Sequence, residues 1–290
     1  MKRLHHQKFF LKRLVIILSL TFIINSCIVE PDNEYHGDNS YTATQDFFYR
    51  IGTENRFAFD LYNINGSVEI TGVSDLSLVE IWGEKKVESD SRSDAESHLA
   101  LLNIMIDSSR TGIAVRTTQP SQSDGRNYTV HYHIRIPQDW MIRIDQINGK
   151  VNVYSLSSAV GSVFNSEKGT FDSLKSKLQV SIVNGSLLLN NVYRSINGQI
   201  VNGDITGNAA LPPDGECILA VTNGVINISF PGTTSAQFSA VTVNGAVVVS
   251  GLNLHDAQIG QKAVTGRLGD GRGRIDLNGV NTSILVSGSD

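Results

Sequence analysis

The sequence predicts an all-β fold of the β-helix or β-solenoid type, and three observations carry that prediction. A strand motif recurs seven times, its copies lie about 20 residues apart in the central part of the chain, and glycine is abundant. Of 290 residues, 26 are Gly and two are Trp, which is typical of many turns between short strands. A chain of this length can bury a sizeable core within one all-β unit.

The motif reads apolar, Asn, usually Gly, any residue, apolar, any residue, apolar. Its seven copies begin at Ile64, Ile147, Val183, Val201, Thr222, Val243 and Val280. Alternate residues of a strand share a face, so six of the seven copies place two aliphatic side chains on one side. We expect these residues, Val247 among them, to stack as an inward column.

Asn-Gly marks a sharp bend, because both residues tolerate positive φ. A hairpin turn competes with a solenoid corner, and spacing favours the corner: Gly185, Gly203, Gly224 and Gly245 are separated by 18, 21 and 21 residues. One strand row per roughly 20 residues matches one solenoid coil. The asparagines would then form a ladder of amides along the corner. A β-sandwich of meandering hairpins is the alternative.

Two longer gaps, of 36 and 34 residues, leave room for one degenerate coil each, with Gly169 and Gly266 as candidate corners. The final copy has Thr282 in place of Gly, which predicts a relaxed terminal turn.

The segment before the repeat differs in pattern. Ser93 and Glu96 form a capping box, and apolar residues follow at helical spacing, which predicts a short helix over residues 94–103. Strands are expected at about 104–108, 112–118 and 128–136. We interpret the helix and strands as a lateral flap or a cap over the open N-terminal end of the solenoid.

The N-terminus has the order of a secretory signal peptide over residues 1–26: basic residues, an apolar run over 14–24, then Cys27. The apolar run is about half of the ~20 residues that a spanning helix needs, although a short retained anchor is the alternative. Residues 24–27 resemble the lipobox of bacterial lipoproteins, which implies lipidation of Cys27 and attachment to a membrane. Residues 27–45 have the acidic, polar composition of a flexible tether.

The resemblance also implies a location. Ile28 is not the aspartate that retains some lipoproteins in the inner membrane, so we expect an outer-membrane lipoprotein, facing the periplasm or the surface. Five basic residues lie in the first 26, which leaves 19 basic against 28 acidic side chains in the remainder. An acidic body without clustered Lys or Arg argues against nucleic-acid partners.

No motif specifies catalysis, a cofactor or a metal. His131 and His133 share a strand face, but two residues without a third ligand indicate a polar strand surface. Cys217 reads as a small buried residue rather than a catalytic thiol. The segment 269–276 superficially resembles a calcium-binding nonapeptide, but its acid is misplaced and it does not recur, so a turn is expected there.

Residues 46–290 resemble the bacterial putative-adhesin family of unknown function, an all-β domain of lipoproteins and membrane proteins. The resemblance rests on the Val-Asn-Gly-Ser-Val type of rows, the helix followed by strands, the segment 130–137 ending in Pro, and Val-Thr-Gly-Arg-Leu-Gly-Asp-Gly at 264–271. That family has no established catalytic residues, so the resemblance implies none here.

Two functions remain as hypotheses. The first is a non-catalytic binding or structural module that presents its faces to an envelope protein or a glycan. The second is a carbohydrate-active enzyme on a β-helix scaffold, which would need acids and basic residues converging on one face. The outward positions of the repeat show no recurring acid pair, which favours the first.

Overall fold

A computed structural model describes residues 39–158, 160–175 and 177–289. The predicted signal peptide, Cys27 and most of the predicted tether lie outside these residues. In the described part there are 21 strands and one helix, and no helix there is long and apolar enough to cross a membrane. The folded part belongs to one compact unit, residues 37–290, with its own core. A fragment of that span should fold without the preceding segment.

The N-terminal elements are β1 (Tyr41–Gly52), β2 (Ala58–Asn65), β3 (Val68–Val73), β4 (Leu78–Ser89), α1 (Arg92–Leu99), β5 (Asn103–Ser108), β6 (Gly112–Thr118) and β7 (Asn127–Pro137). The central strands are β8 (Met141–Asn148), β9 (Val151–Tyr154), β10 (Val160–Ser166), β11 (Lys168–Asp172), β12 (Leu178–Asn184), β13 (Ser186–Val192), β14 (Ile196–Asn202) and β15 (Ile205–Ala209). The last strands are β16 (Glu216–Pro231), β17 (Ala236–Asn244), β18 (Val247–Ser250), β19 (Leu254–Ile259), β20 (Ala263–Leu268) and β21 (Gly273–Ser289).

These strands form a solenoid, as predicted. The first parallel sheet runs β2, β8, β10, β12, β14, the first half of β16, the first half of β21, then β17. The second sheet runs β3, β9, β11, β13, β15, then the second halves of β16 and β21, then β18. Consecutive hairpins would give antiparallel pairs here, whereas successive coils pair in parallel.

The core lies between the two sheets. The Cβ position of Gly198 in the first sheet is 3.3 Å from Leu187 Cδ2 and 3.9 Å from Ile205 Cδ1 of the second. The predicted inward column is confirmed: Ile205, Ile226, Ile284 and Val247 are all buried. Burial of such branched side chains on both faces of the interior supplies the main driving force for folding.

The asparagine ladder is confirmed as well. Each amide donates from Nδ2 to Oδ1 of the next coil at 2.8 or 2.9 Å, in the order Asn244, Asn281, Asn223, Asn202 and Asn184. A second run joins Asn148 Nδ2 to Asn65 Oδ1 at 2.8 Å. Because the bonds recur at the same position of each coil, they hold neighbouring coils in one register.

The corner glycines allow the coils to approach. Gly203 has φ +141°, and a Cβ on it would lie 1.7 Å from the carbonyl oxygen of Gly185 in the coil beside it. No side chain fits at that distance, so glycine is required at this corner.

The coils are not stacked in chain order at either end. The last coil, β21, lies between β16 on one side and β17 with β18 on the other. The first coil, β2 and β3, lies between β8 with β9 and β6 with β7. The first and last coils are therefore held inside the stack, where their backbone groups pair on two sides.

The first degenerate coil exists, but its corner is not Gly169. Ser166 pairs with Asn148 in register and so takes the asparagine position, which makes Glu167 the corner residue, with φ +75°. Gly169 lies two residues further on, inside β11.

The second proposed degenerate coil, with a corner at Gly266, is wrong. Gly266 lies within β20, which pairs antiparallel with β17 opposite Phe238, and β19 continues the same antiparallel sheet. This segment caps the first sheet. The relaxed turn at Thr282 is also wrong, because Thr282 is buried, its hydroxyl donates to Val221 O at 2.9 Å, and β21 runs through it without a break.

The N-terminal cap contains the three predicted strands as β5, β6 and β7. The helix is Arg92–Leu99 rather than 94–103, and its N-cap is Ser91, whose Oγ accepts from Asp94 N at 3.2 Å. The Asp94 carboxylate pairs with Arg126, which ties the first turn of the helix to the loop directly before β7. Strand β1 begins at Tyr41, so residues 41–45 of the predicted tether belong to the folded domain.

Ile284 and Leu285 allow a matched test of the inward column. Ile284 lies between Ile226 and Val247 in register and is buried, whereas Leu285 is 40% exposed on the other face. We expect Ile284→Asp to lower the free energy of unfolding by about 3 kcal/mol or more, because its carboxylate has no partner in the core. Leu285→Asp should cost no more than about 1 kcal/mol. Urea unfolding of the 37–290 fragment measures both, and equal losses would contradict the assigned faces.

Candidate functional site

The thiol of Cys217 lies fully buried in β16. Burial raises its pKa to about 12. A thiol in that environment is neither ionised nor accessible, which is the environment of a packing residue.

His131 and His133 lie on the outer face of β7. The Nδ1 of His131 accepts from Ser67 N at 3.1 Å, so the neutral ring carries its proton on Nε2. Burial, more than the charge of Lys86, lowers the pKa of His131. His133 instead stacks on Trp82, with ring centroids 5.6 Å apart. In the part of the chain that the structure describes, no three His, Cys, Asp or Glu side chains are grouped so as to hold a metal ion.

The segment that resembles a calcium nonapeptide is a turn, as expected. Gly269 has φ +55°, and Asp270 accepts a hydrogen bond from Ser235 Oγ just before β21 begins. The Asp270 carboxylate therefore stabilises the turn between the cap and the last coil.

The repeat also contributes an apolar column outside the core, to which the sequence analysis assigned no role. The residue before each corner Asn points outward from the first sheet, next to the corner. The exposed members of this apolar column are Ile147 (49%), Val183 (46%), Val201 (44%), Val280 (43%) and Val243 (57%). The register places the polar residues Asn165 and Thr222 in the same row, so the column is aliphatic at most but not all of its positions. Exposed aliphatic side chains grouped in this way are typical of a site of interaction.

Two depressions follow the apolar column and share Val183. The smaller, of about 300 Å³, is lined by Val201, Thr222 and Val280 among others. The larger, of about 790 Å³, reaches Ile64 and Ile147 at the N-terminal end. Together they form what we call the outer groove. From β2 to β21 it crosses six strand-to-strand steps, roughly 29 Å at about 4.8 Å each.

The N-terminal end of the outer groove is charged. Arg116 lies over the ring of Tyr62, with Cζ 4.5 Å from its centroid, and Arg143 approaches the same ring at 5.9 Å. Arg143 pairs with Asp145 at 2.9 Å, and Asp60 faces it in register. Arg116 is exposed and, in the described residues, has no ion pair with an acid. It is therefore the cation available to a ligand.

The chemistry of the outer groove is that of binding. Its floor is aliphatic, its end presents a guanidinium held against an aromatic ring, and the one carboxylate among its described lining residues, Asp145, is paired with Arg143. Such a site favours an elongated ligand that has an apolar stretch and an anionic end.

No family model matches the chain, and no curated protein matches it. Solved bacterial structures resemble it loosely. A "putative cell adhesion protein" from Clostridium sporogenes is 10% identical, with 85% of this chain and 100% of that chain covered and a TM-score of 0.31. A "putative adhesin" from Bacteroides fragilis is 10% identical, with 86% of this chain and 98% of that chain covered and a TM-score of 0.33. A "putative lipid binding protein" from Parabacteroides distasonis is 11% identical, with 87% of this chain and 96% of that chain covered and a TM-score of 0.31.

These neighbours carry the names of adhesion or lipid-binding proteins rather than of enzymes. Identities and TM-scores this low do not transfer a function to this chain.

The burial of Cys217 predicts its reactivity. In the 37–290 fragment it is the sole cysteine, so a thiol reagent reports on it alone. We expect no labelling by a colourless aromatic disulfide at pH 8 in the native state, because the thiol stays protonated and covered, and complete labelling in 8 M urea, roughly the range in which small domains unfold. Rapid labelling of the native fragment would indicate an accessible, activated thiol and would reopen a catalytic role.

Proposed function

We propose that this protein is a non-catalytic binding module of the bacterial envelope, tethered to the outer membrane through lipid on Cys27. Its outer groove would hold an amphiphile with one acyl chain and an anionic head. The observation that carries the proposal is the exposed apolar column ending at Arg116. The function is adhesin-like in the broad sense that the ligand is held and not transformed.

The dimensions of the outer groove fit that ligand. A bilayer hydrocarbon core of about 30 Å contains two leaflets, so one acyl chain spans about 15 Å. The groove, at roughly 29 Å, accommodates such a chain along the column of Ile147, Val183 and Val201. Removing those side chains and the chain from water would contribute roughly 25 cal/mol for each Å² of apolar surface buried.

The charged end supplies orientation. Arg143 already shares its charge with Asp145, whereas the charge of Arg116 is unmatched by an acid in the described region. Its guanidinium is held at 4.5 Å from the Tyr62 ring, so less side-chain freedom is lost when a carboxylate binds. A ligand would bind with its head at β6 and its chain directed toward β21.

A titration with sodium laurate below its micelle concentration tests this proposal on the 37–290 fragment. We expect Val201→Glu to weaken binding by at least about tenfold, because the chain would meet a charge in the groove. Arg116→Ala should also weaken it, since the head loses its cation. Dodecyltrimethylammonium, with the same chain and the opposite charge, should bind more weakly than laurate.

Leu285→Glu is the matched control for Val201→Glu. Both positions are exposed aliphatic residues, at 40% and 44%, but Leu285 lies on the second sheet. The proposal fails if Leu285→Glu reduces laurate binding as much as Val201→Glu does, or if the cationic amphiphile binds as tightly. Thermal melting of each variant separates lost binding from lost folding.

Membrane attachment has its own test. Cys27→Ser removes the residue that would carry lipid, and we expect the full-length variant to move from the membrane pellet to the soluble fraction of the envelope. Cys217→Ser serves as the control and should stay in the pellet. Retention of Cys27→Ser in the membrane after a carbonate wash would favour an uncleaved N-terminal anchor.

A further inference from the structure

A second surface lies on the outer face of the second sheet, whereas the outer groove lies on the first sheet. It is formed where the N-terminal cap adds β7, β4 and β1 to the solenoid. Strand pairing sets three rings side by side across these strands: Phe48 lies opposite Trp82, and Trp82 lies opposite His133. We call these three residues the aromatic row. They line one open depression of about 500 Å³.

The rings are held in place by their neighbours. His133 stacks on Trp82 at 18° between ring planes. Arg50 packs over one face of Phe48, with Cζ 4.9 Å from the centroid, and leaves 54% of that side chain exposed. Arg50 is itself fixed by Glu80, which also binds Arg135 at 3.1 Å. The aromatic row is therefore a pre-arranged platform, roughly 10 Å across three strands.

Hydrogen-bonding groups border the aromatic row on its other side. Asp46 lies opposite Glu84, and Glu84 lies opposite His131, in the same strand pairings. Because Nδ1 of His131 accepts from Ser67 N, the neutral His131 ring has an Nε2 donor to offer. The border thus presents two carboxylates as acceptors and one imidazole as a donor.

We infer that this surface binds a neutral oligosaccharide. Sugar rings have an apolar face of C–H groups that packs on aromatic rings and a rim of hydroxyls that need both donors and acceptors, and the aromatic row with its border supplies the two together. A neutral ligand suits the border because Asp46 and Glu84 would repel an acidic sugar, and Arg50 and Arg135 are both engaged by the Glu80 carboxylate.

The aromatic row would bind the sugar without cleaving it. Asp46 is exposed to solvent at the edge strand, so no closed site surrounds a scissile bond between it and Glu84. This inference is independent of the outer groove, because the two surfaces are on different sheets and share no residue.

Isothermal titration of the 37–290 fragment with cellotetraose, maltotetraose, mannotetraose and chitotetraose tests the inference. We expect at least one of the four to bind, and Trp82→Ala to weaken it by about tenfold or more, while Trp82→Phe, which keeps a ring, retains most of the affinity. Tyr193→Ala removes an exposed aromatic residue (47%) that lies outside the aromatic row, and should have no effect.

Each other outcome overturns the inference. Binding by none of the four sugars refutes it, and so does equal weakening by Trp82→Ala and Tyr193→Ala. Chromatography of the mixtures after prolonged incubation should show the intact tetrasaccharide, and shorter products would show an enzyme instead of a binding site. Val201→Glu should leave sugar binding unchanged, so failure of the outer groove and failure of the aromatic row can be told apart.

Discussion

The close stacking of the Asn-Gly corners is the constraint on which the rest of the domain depends. The Cβ position of Gly203 lies 1.7 Å from a carbonyl oxygen of the neighbouring coil, so the corners touch through their backbones, and the asparagine amides then bond from coil to coil. Once the corners are aligned, every strand on both sides is aligned too. The inward aliphatic columns and the outward apolar column are both consequences of that one alignment.

The outward apolar column arises because the inward–outward alternation of side chains reverses at each corner. Before the corner, residues such as Leu61 and Asn63 point inward, and Ile64 does not. After it, Val68 is buried again although it is four residues further on. The chain moves to the other sheet at Asn65 and Gly66, which reverses the alternation. An apolar residue placed just before the corner is therefore directed to solvent, and its repetition from coil to coil creates the outer groove.

Much of the architecture could be predicted because it is encoded locally. The spacing of the glycines predicted coils, the alternation of Val130, Tyr132 and Ile134 predicted β7, and the asparagine ladder followed from register. The non-sequential order of the coils and the antiparallel cap around Gly266 depend on contacts between distant segments, which no local pattern records. The two candidate binding surfaces were missed for related reasons. Arg116 and Tyr62 become neighbours through strand pairing, and the aromatic row is assembled from β1, β4 and β7, which are separated in the chain by four other strands and the helix.

The position of β21 inside the stack has a consequence for how this protein reaches its folded state. Strands β17 and β18 are made before β21, yet their parallel partners in the final structure belong to β21. Until the 17 residues of that strand arrive, β17 and β18 lack their parallel partner, and one edge of β16 lacks its neighbour. Completion of the stack therefore waits for β21, and the long sequence separation of its contacts with β16 slows that step.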